Sequence, residues 1–194
     1  MIDYGRAVAL VVVDVQNDFA QPDGRLAVRG GGDIVPFVNL EVERALAADA
    51  TVAYTADWHP PSTPHFEKDG GIWPVHCVAD TPGAAFHPDL RVEGPVILKG
   101  TEGEDGYSGF TARDPRTGET MPTGLGGLLR ERGVTAIVVV GLATDYCVRG
   151  TALDGLAQGF DVTVLREGVR AVDRRPGDGD RALAEVRAAG GHVV

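Results

Sequence analysis

Ala7-Val8-Ala9-Leu10-Val11-Val12-Val13 is an unbroken apolar run that stops at Asp14-Val15-Gln16-Asn17-Asp18. It is too short for a typical helix, and its valine content without polar alternation describes a strand covered on both faces. Similar runs recur at residues 51–55, 95–98, 136–140, 161–165 and 192–194. Between them, apolar residues fall at helical spacing. Asp33 is placed to cap a helix whose stripe is Ile34, Phe37, Val38, Val42, Ala45 and Leu46, with Pro36 tolerated in the first turn. Residues 122–132 carry Leu125, Leu128 and Leu129 before Gly133, residues 144–158 end at Gly159, and residues 178–189 end at Gly190-Gly191. Strands alternating with helices through short joins predict a doubly wound α/β domain with right-handed crossovers.

Such sheets gather their chemistry at the carboxyl ends of the strands. Asp14 stands just past the first run, Asp57 and His59 past the second and Lys99 past the third. Cys147 follows residues 136–140 in Gly141-Leu142-Ala143-Thr144-Asp145-Tyr146-Cys147. A lone Asp there often caps a turn, a lone Lys is usually solvated, and a lone Cys is usually a small core residue. Together they form a coherent set. A helix N-terminus and a nearby Lys favour the thiolate, Asp14 can accept and return a proton, and free amides of the turn can hold an oxyanion. Acyl transfer through a thioester is the expected chemistry.

The segment Asp57-Trp58-His59, His65, His76 adds a metal. Three of the five histidines fall in this Pro/Gly-rich window, and Asp57 and His59, one residue apart, point the same way on a strand end. Nitrogen and oxygen donors suit one divalent transition metal, namely zinc, iron or manganese. The connection spanning residues 56–94 is far longer than an ordinary loop, as a functional segment would be, and residues 100–121 form a second long stretch suited to wall the same pocket. Cys77, beside His76, reads as a buried thiol, and His87 and His192 read as structural.

A length of 194 residues suits one domain over residues 1–194, and 43% hydrophobic with 24% charged residues is ordinary globular composition. A net charge of −10 without a basic cluster argues against nucleic-acid or anionic-membrane partners. The start of the chain lacks the marks of a secretory signal, no run reaches membrane-spanning length, and the two cysteines fit reduced thiols. The expectation is a cytoplasmic protein, monomeric or homo-oligomeric, with a small-molecule substrate.

The segments Val11-Val12-Val13-Asp14-Val15-Gln16-Asn17-Asp18-Phe19, Asp57-Trp58-His59, Trp73-Pro74-Val75-His76-Cys77, Tyr107-Ser108-Gly109-Phe110 and Gly141-Leu142-Ala143-Thr144-Asp145-Tyr146-Cys147-Val148 carry a resemblance. The chain resembles the isochorismatase-like cysteine hydrolases and, within them, the nicotinamidase/pyrazinamidase family. The resemblance implies a three-layer α/β/α fold with a six-stranded parallel sheet. It also implies an Asp14-Lys99-Cys147 triad, a metal on Asp57, His59, His65 and His76, and a cis peptide between Leu142 and Ala143 that aims the Ala143 and Cys147 amides at the oxyanion. Phe19, Trp73 and Tyr107 are implied as aromatic walls, with Tyr146 at a substrate-contact position where some members carry His. The expected reaction is hydrolysis of nicotinamide to nicotinate and ammonia, and of pyrazinamide likewise. The rivals are an amidase of the same superfamily acting on another small amide, and a member that binds without catalysis.

Overall fold

The structure is a computed structural model that describes residues 2–194. Strands β1 (Val8–Val13), β2 (Thr51–Asp57) and β3 (Val96–Lys99) form one half of the central sheet. The other half is β6 (Ala136–Leu142), β7 (Asp161–Arg170) and β8 (His192–Val193). Their order is β3-β2-β1-β6-β7-β8 and every pairing is parallel. This is the doubly wound arrangement, and the direction of winding reverses between β1 and β6. A separate antiparallel pair, β4 (Thr111–Arg113) with β5 (Thr120–Pro122), lies in the stretch before the last three strands.

The helices cover both faces. One-turn α1 (Asn17–Ala20) and α2 (Val35–Ala47) pack on one side, where Leu10 and Val12 meet Ile34, Val35, Val38, Val42 and Ala45. Helices α3 (Leu125–Glu131), α4 (Arg149–Ala157) and α5 (Asp178–Ala188) pack on the other, where Ala9, Val11 and Val13 meet Leu125, Leu129, Ala152, Leu183 and Val186. Alternate residues of β1 therefore enter opposite cores. Each fully buried Val or Leu contributes about 1.5–3 kcal/mol, so β1 is a stiff base for whatever follows it.

Four details depart from the expectations. Asp33 does not cap α2 through its side chain: it sits inside a short 3-10 turn, Gly32–Ile34, that leads into the helix. Helix α3 starts at Leu125, because Thr120–Pro122 is taken by β5 and the Thr123 hydroxyl turns the chain by bonding the Gly109 carbonyl at 2.6 Å. The segment bearing Cys147 is a π turn, Thr144–Val148, ahead of α4. β7 runs on to Arg170, past a register shift opposite Val139 and Gly141.

Candidate active site

Every group expected at a strand end reaches one crevice beside the reversal point. Asp14 leaves β1 with a positive φ of 48°, and its amide bonds the Thr55 carbonyl of β2. Its carboxylate is fully buried and divided between two partners: Oδ1 accepts the Thr55 hydroxyl at 2.6 Å, and Oδ2 lies 2.9 Å from Lys99 Nζ. Lys99, the last residue of β3, also pairs with Asp57 Oδ1 and lies 3.8 Å from Cys147 Sγ. Cys147 Sγ and carboxylate oxygens of Asp14 and Asp57 all fall within 4.8 Å of one another.

The electrostatics revise one expectation. Burial pushes the Cys147 thiol well above its ordinary value, and the Asp14 and Asp57 carboxylates push it further, against the pull of Lys99. Lys99 favours the thiolate less than expected, because its ammonium is shared with two carboxylates. Burial also raises Asp14, opposed by Lys99 and the Thr55 bond. Burial alone would lower Lys99, but Asp14 and Asp57 hold it well above its usual range. Asp57 goes the other way: burial opposes its ionisation, yet Lys99 and the neighbouring imidazoles keep it below ordinary carboxylates.

Asp57 also faces the histidines. Its Oδ2 lies 3.7 Å from His59 Nε2 and 3.9 Å from His76 Nε2. The rings of His59, His65 and His76 stand 5.0–5.4 Å apart, with nitrogens within 4.8 Å of one another. The long connection supplies them because it is pinned at several points. His59 exchanges backbone bonds with Cys77 and Ala79, Trp58 bonds the Lys99 carbonyl, and Phe66 pairs with Trp73. Gly100 allows the His59 ring its place: its φ is 78°, and a Cβ there would overlap Nδ1.

These residues fit a divalent metal. His76 Nδ1 lies 2.7 Å from the Pro74 carbonyl, which as a donor contact leaves Nε2 with its lone pair. Both ring nitrogens of His59 are buried without a hydrogen-bond partner, an unfavourable state that a cation would relieve. Burial lowers His65 to about 4 and lowers His76 as well, so both offer neutral rings. With one ammonium against two buried carboxylates, the group carries a negative surplus that a cation would offset.

Beside the thiol, Phe19, Trp73, Tyr107 and Tyr146 wall a narrow cavity that Ala143, His65 and His76 also line. Trp73 Nε1 donates to the Tyr107 hydroxyl at 3.1 Å, and Tyr146 packs edge-on to Trp73 at 4.9 Å. The Leu142-Ala143 peptide is cis. Cys77 is fully buried behind this site, and burial raises its thiol well above its ordinary value.

Three contributors were not singled out from the sequence. Gln16 is fully buried, donates to the carbonyls of Asp57 (2.7 Å) and Ala84 (2.8 Å), and accepts the Asp57 amide at 2.8 Å. Thr55 holds Asp14, and Phe66 backs His59 and His76 with ring contacts of 5.5 Å each. Gln16 and Phe66 lie in or beside segments that carry the family resemblance, without a role of their own to mark them; Thr55 gives no signal beyond ordinary apolar patterning.

Comparison with known proteins gives a consistent set of likenesses. A family model described as the isochorismatase domain matches residues 8–194. The chain is 41% identical to a nicotinamidase/pyrazinamidase of Mycobacterium tuberculosis over 81% of this chain and 83% of that one. It is 35% identical to an Escherichia coli nicotinamidase over 94% and 92% of the respective chains. Its structure resembles that of a Pyrococcus horikoshii pyrazinamidase in complex with zinc, with a TM-score of 0.86 and 41% identity, covering 97% of this chain and 98% of the other.

Proposed function

The chain belongs to the isochorismatase domain family, and from that premise we propose that it is an amidohydrolase that converts nicotinamide to nicotinate and ammonia, and pyrazinamide likewise. The observation that carries this reading is the sharing of Asp57: one carboxylate oxygen pairs with the Lys99 that faces Cys147 and Asp14, while the other faces His59 and His76.

In the proposed reaction the Cys147 thiol gives its proton to Asp14 as sulfur attacks the carboxamide carbon. This order suits a thiol that is neutral at rest beside a carboxylate of raised proton affinity. The amides of Ala143 and Cys147 receive the developing oxyanion. As the tetrahedral species collapses, Asp14 returns the proton to the departing nitrogen and ammonia leaves a thioester. Water then adds to the thioester carbon while Asp14 takes its proton and passes it to the leaving sulfur, giving the carboxylate and restoring the thiol. Lys99 steadies the anionic partners throughout. Phe19, Trp73, Tyr107 and Tyr146 offer faces and edges for a flat heteroaromatic ring. His59, His65, His76 and Asp57 are proposed to hold one divalent metal, which when bound supplies a Lewis-acidic anchor for a ring nitrogen. The chain functions as one domain in this reading.

Ammonia release from nicotinamide and pyrazinamide, against a panel of other small amides, tests it. Cys147→Ala is expected to abolish release while metal content is kept; near-normal turnover would overturn covalent catalysis. His59→Ala is expected to lose metal and activity together, and full activity in a metal-free preparation would remove the ion from the proposal.

A further inference from the structure

Tyr146 borders two spaces. On its inner side is the reaction cavity; on its outer side is a wider cleft of ≈ 590 Å³, built by the loop between β7 and α5 and by the outer faces of α4 and α5. Arg149, Arg174, Arg175 and Arg181 face this cleft along with Asp145, Asp178 and Glu185. The acids already have partners in the cleft and its walls. Asp145 accepts the amides of Val172 and Asp173 at 2.9 Å each, Asp178 accepts the Arg175 amide at 2.8 Å and pairs with Arg181, and Glu185 pairs with Arg149. Among the described residues, the guanidiniums of Arg174 and Arg175 form no ion pair. Arg174 instead lies over the Trp73 ring, 5.4 Å from its centre. The indole that walls the reaction cavity thus carries a guanidinium at its rim.

We propose that Arg174 and Arg175 form a carboxylate-binding site at the mouth of the reaction cavity, which takes up the aromatic monocarboxylate product and discriminates against the neutral amide. The identity of that anion rests on the hydrolysis proposed above. Hydrolysis turns an uncharged carboxamide into a carboxylate, so charge is the property by which product and substrate differ most. Over most of its surface a chain of net charge −10 repels such an anion. Two guanidiniums without ion pairs reverse this locally, with a donor fork matched to a carboxylate and a permanent charge. Tyr146, which lines both spaces, offers an aromatic surface for the ring that accompanies the carboxylate. The neutral amide gains little from the arginines, so the site holds product at the exit and makes product inhibition depend on salt.

The test is calorimetric titration of nicotinate, with nicotinamide KM measured alongside, in the wild type, Arg174→Lys, Arg174→Ala and the double variant Arg174→Ala/Arg175→Ala. The double variant is expected to weaken nicotinate binding by about fivefold or more relative to any change in nicotinamide KM. Salt raised to about 0.5 M should weaken nicotinate binding to the wild type and leave the double variant nearly unaffected. Arg174→Lys keeps the charge but not the donor fork, so its nicotinate affinity should fall between those of the wild type and Arg174→Ala and stay salt-sensitive. Unchanged nicotinate binding in the double variant overturns the site. So does equal weakening of acid and amide, since that assigns Arg174 a packing role against Trp73. Absence of ammonia release would instead refute the proposed hydrolysis, while the nicotinate titration, which needs no turnover, still decides the anion site.

Discussion

Thr55 shows how a residue of ordinary type governs the chemistry of its neighbour. Its hydroxyl bonds Asp14 Oδ1 at 2.6 Å inside a fully buried site, and that bond pulls Asp14 down against the upward push of burial. Thr55→Val keeps the shape and removes the donor. A hydrogen bond to a charged group contributes ~1.5–3 kcal/mol, so kcat is expected to fall about 10- to 100-fold at unchanged metal content. The pH profile gives an independent reading. In the proposed reaction Asp14 must be ionised to accept the thiol proton, and burial raises its proton affinity, so kcat/KM should begin to fall on the acid side above the ordinary carboxylate range. Loss of the Thr55 bond should move that limb further up in pH, because the bond favours the charged form; a limb that stays put or moves down would exclude Asp14 as the group it reports. Metal content measured across the same range separates this effect from protonation of the histidines. The sequence displayed Asp14, Lys99 and Cys147 because each follows an apolar run. It hid Thr55 and Gln16, whose importance comes from what lies across the sheet.

At the scale of elements, the long connection after β2 becomes a scaffold because its two halves pair with each other and with the end of β3. His59 bonds Cys77 and Ala79, and Trp58 bonds the Lys99 carbonyl. Gly100 lets β3 turn tightly under the His59 ring, so Gly100→Ala is expected to displace that ring. Disturbed support of a ligand typically costs about 10- to 100-fold in metal affinity, which competition with a chelator would measure; unchanged affinity would show that His59 is held by other means. The inner strands were legible because both faces are covered, leaving unbroken apolar runs, whereas β3 at the sheet edge carries a similar run with Val96 and Leu98 exposed. Helix starts were less so. Asp33 has the right chemistry for a cap, yet the chain enters α2 through a 3-10 turn, and Pro122, expected at the start of α3, is drawn into the β4–β5 pair. The π turn at Cys147 leaves no compositional mark, since its residues are those an α-helix would accept.

For the molecule as a whole, the reversal between β1 and β6 sets Asp14 and Cys147 on either side of one crevice, while β2 and β3 bring Asp57 and Lys99 in from one flank. Six strand ends could be read in order from the sequence, but not which would become neighbours, because adjacency is decided by crossovers that cost no particular residue. Metal binding should register in the stability of the entire fold. An ion that binds only the folded chain at about 100 times its dissociation constant adds ~2.7 kcal/mol, or about 5–10 °C in Tm for a protein of this size. Thermal unfolding with and without chelator should show that difference, and His59→Ala should abolish it. Among the described residues no helix is long and apolar enough to cross a membrane. Asp57, held through its backbone by Gln16 and through its two oxygens by opposite neighbours, couples the two centres electrically. An engineer who swaps donors to recruit a different ion inherits the task of rebalancing the nucleophile, and one who removes Asp57 itself leaves Lys99 to Asp14 and the sulfur alone.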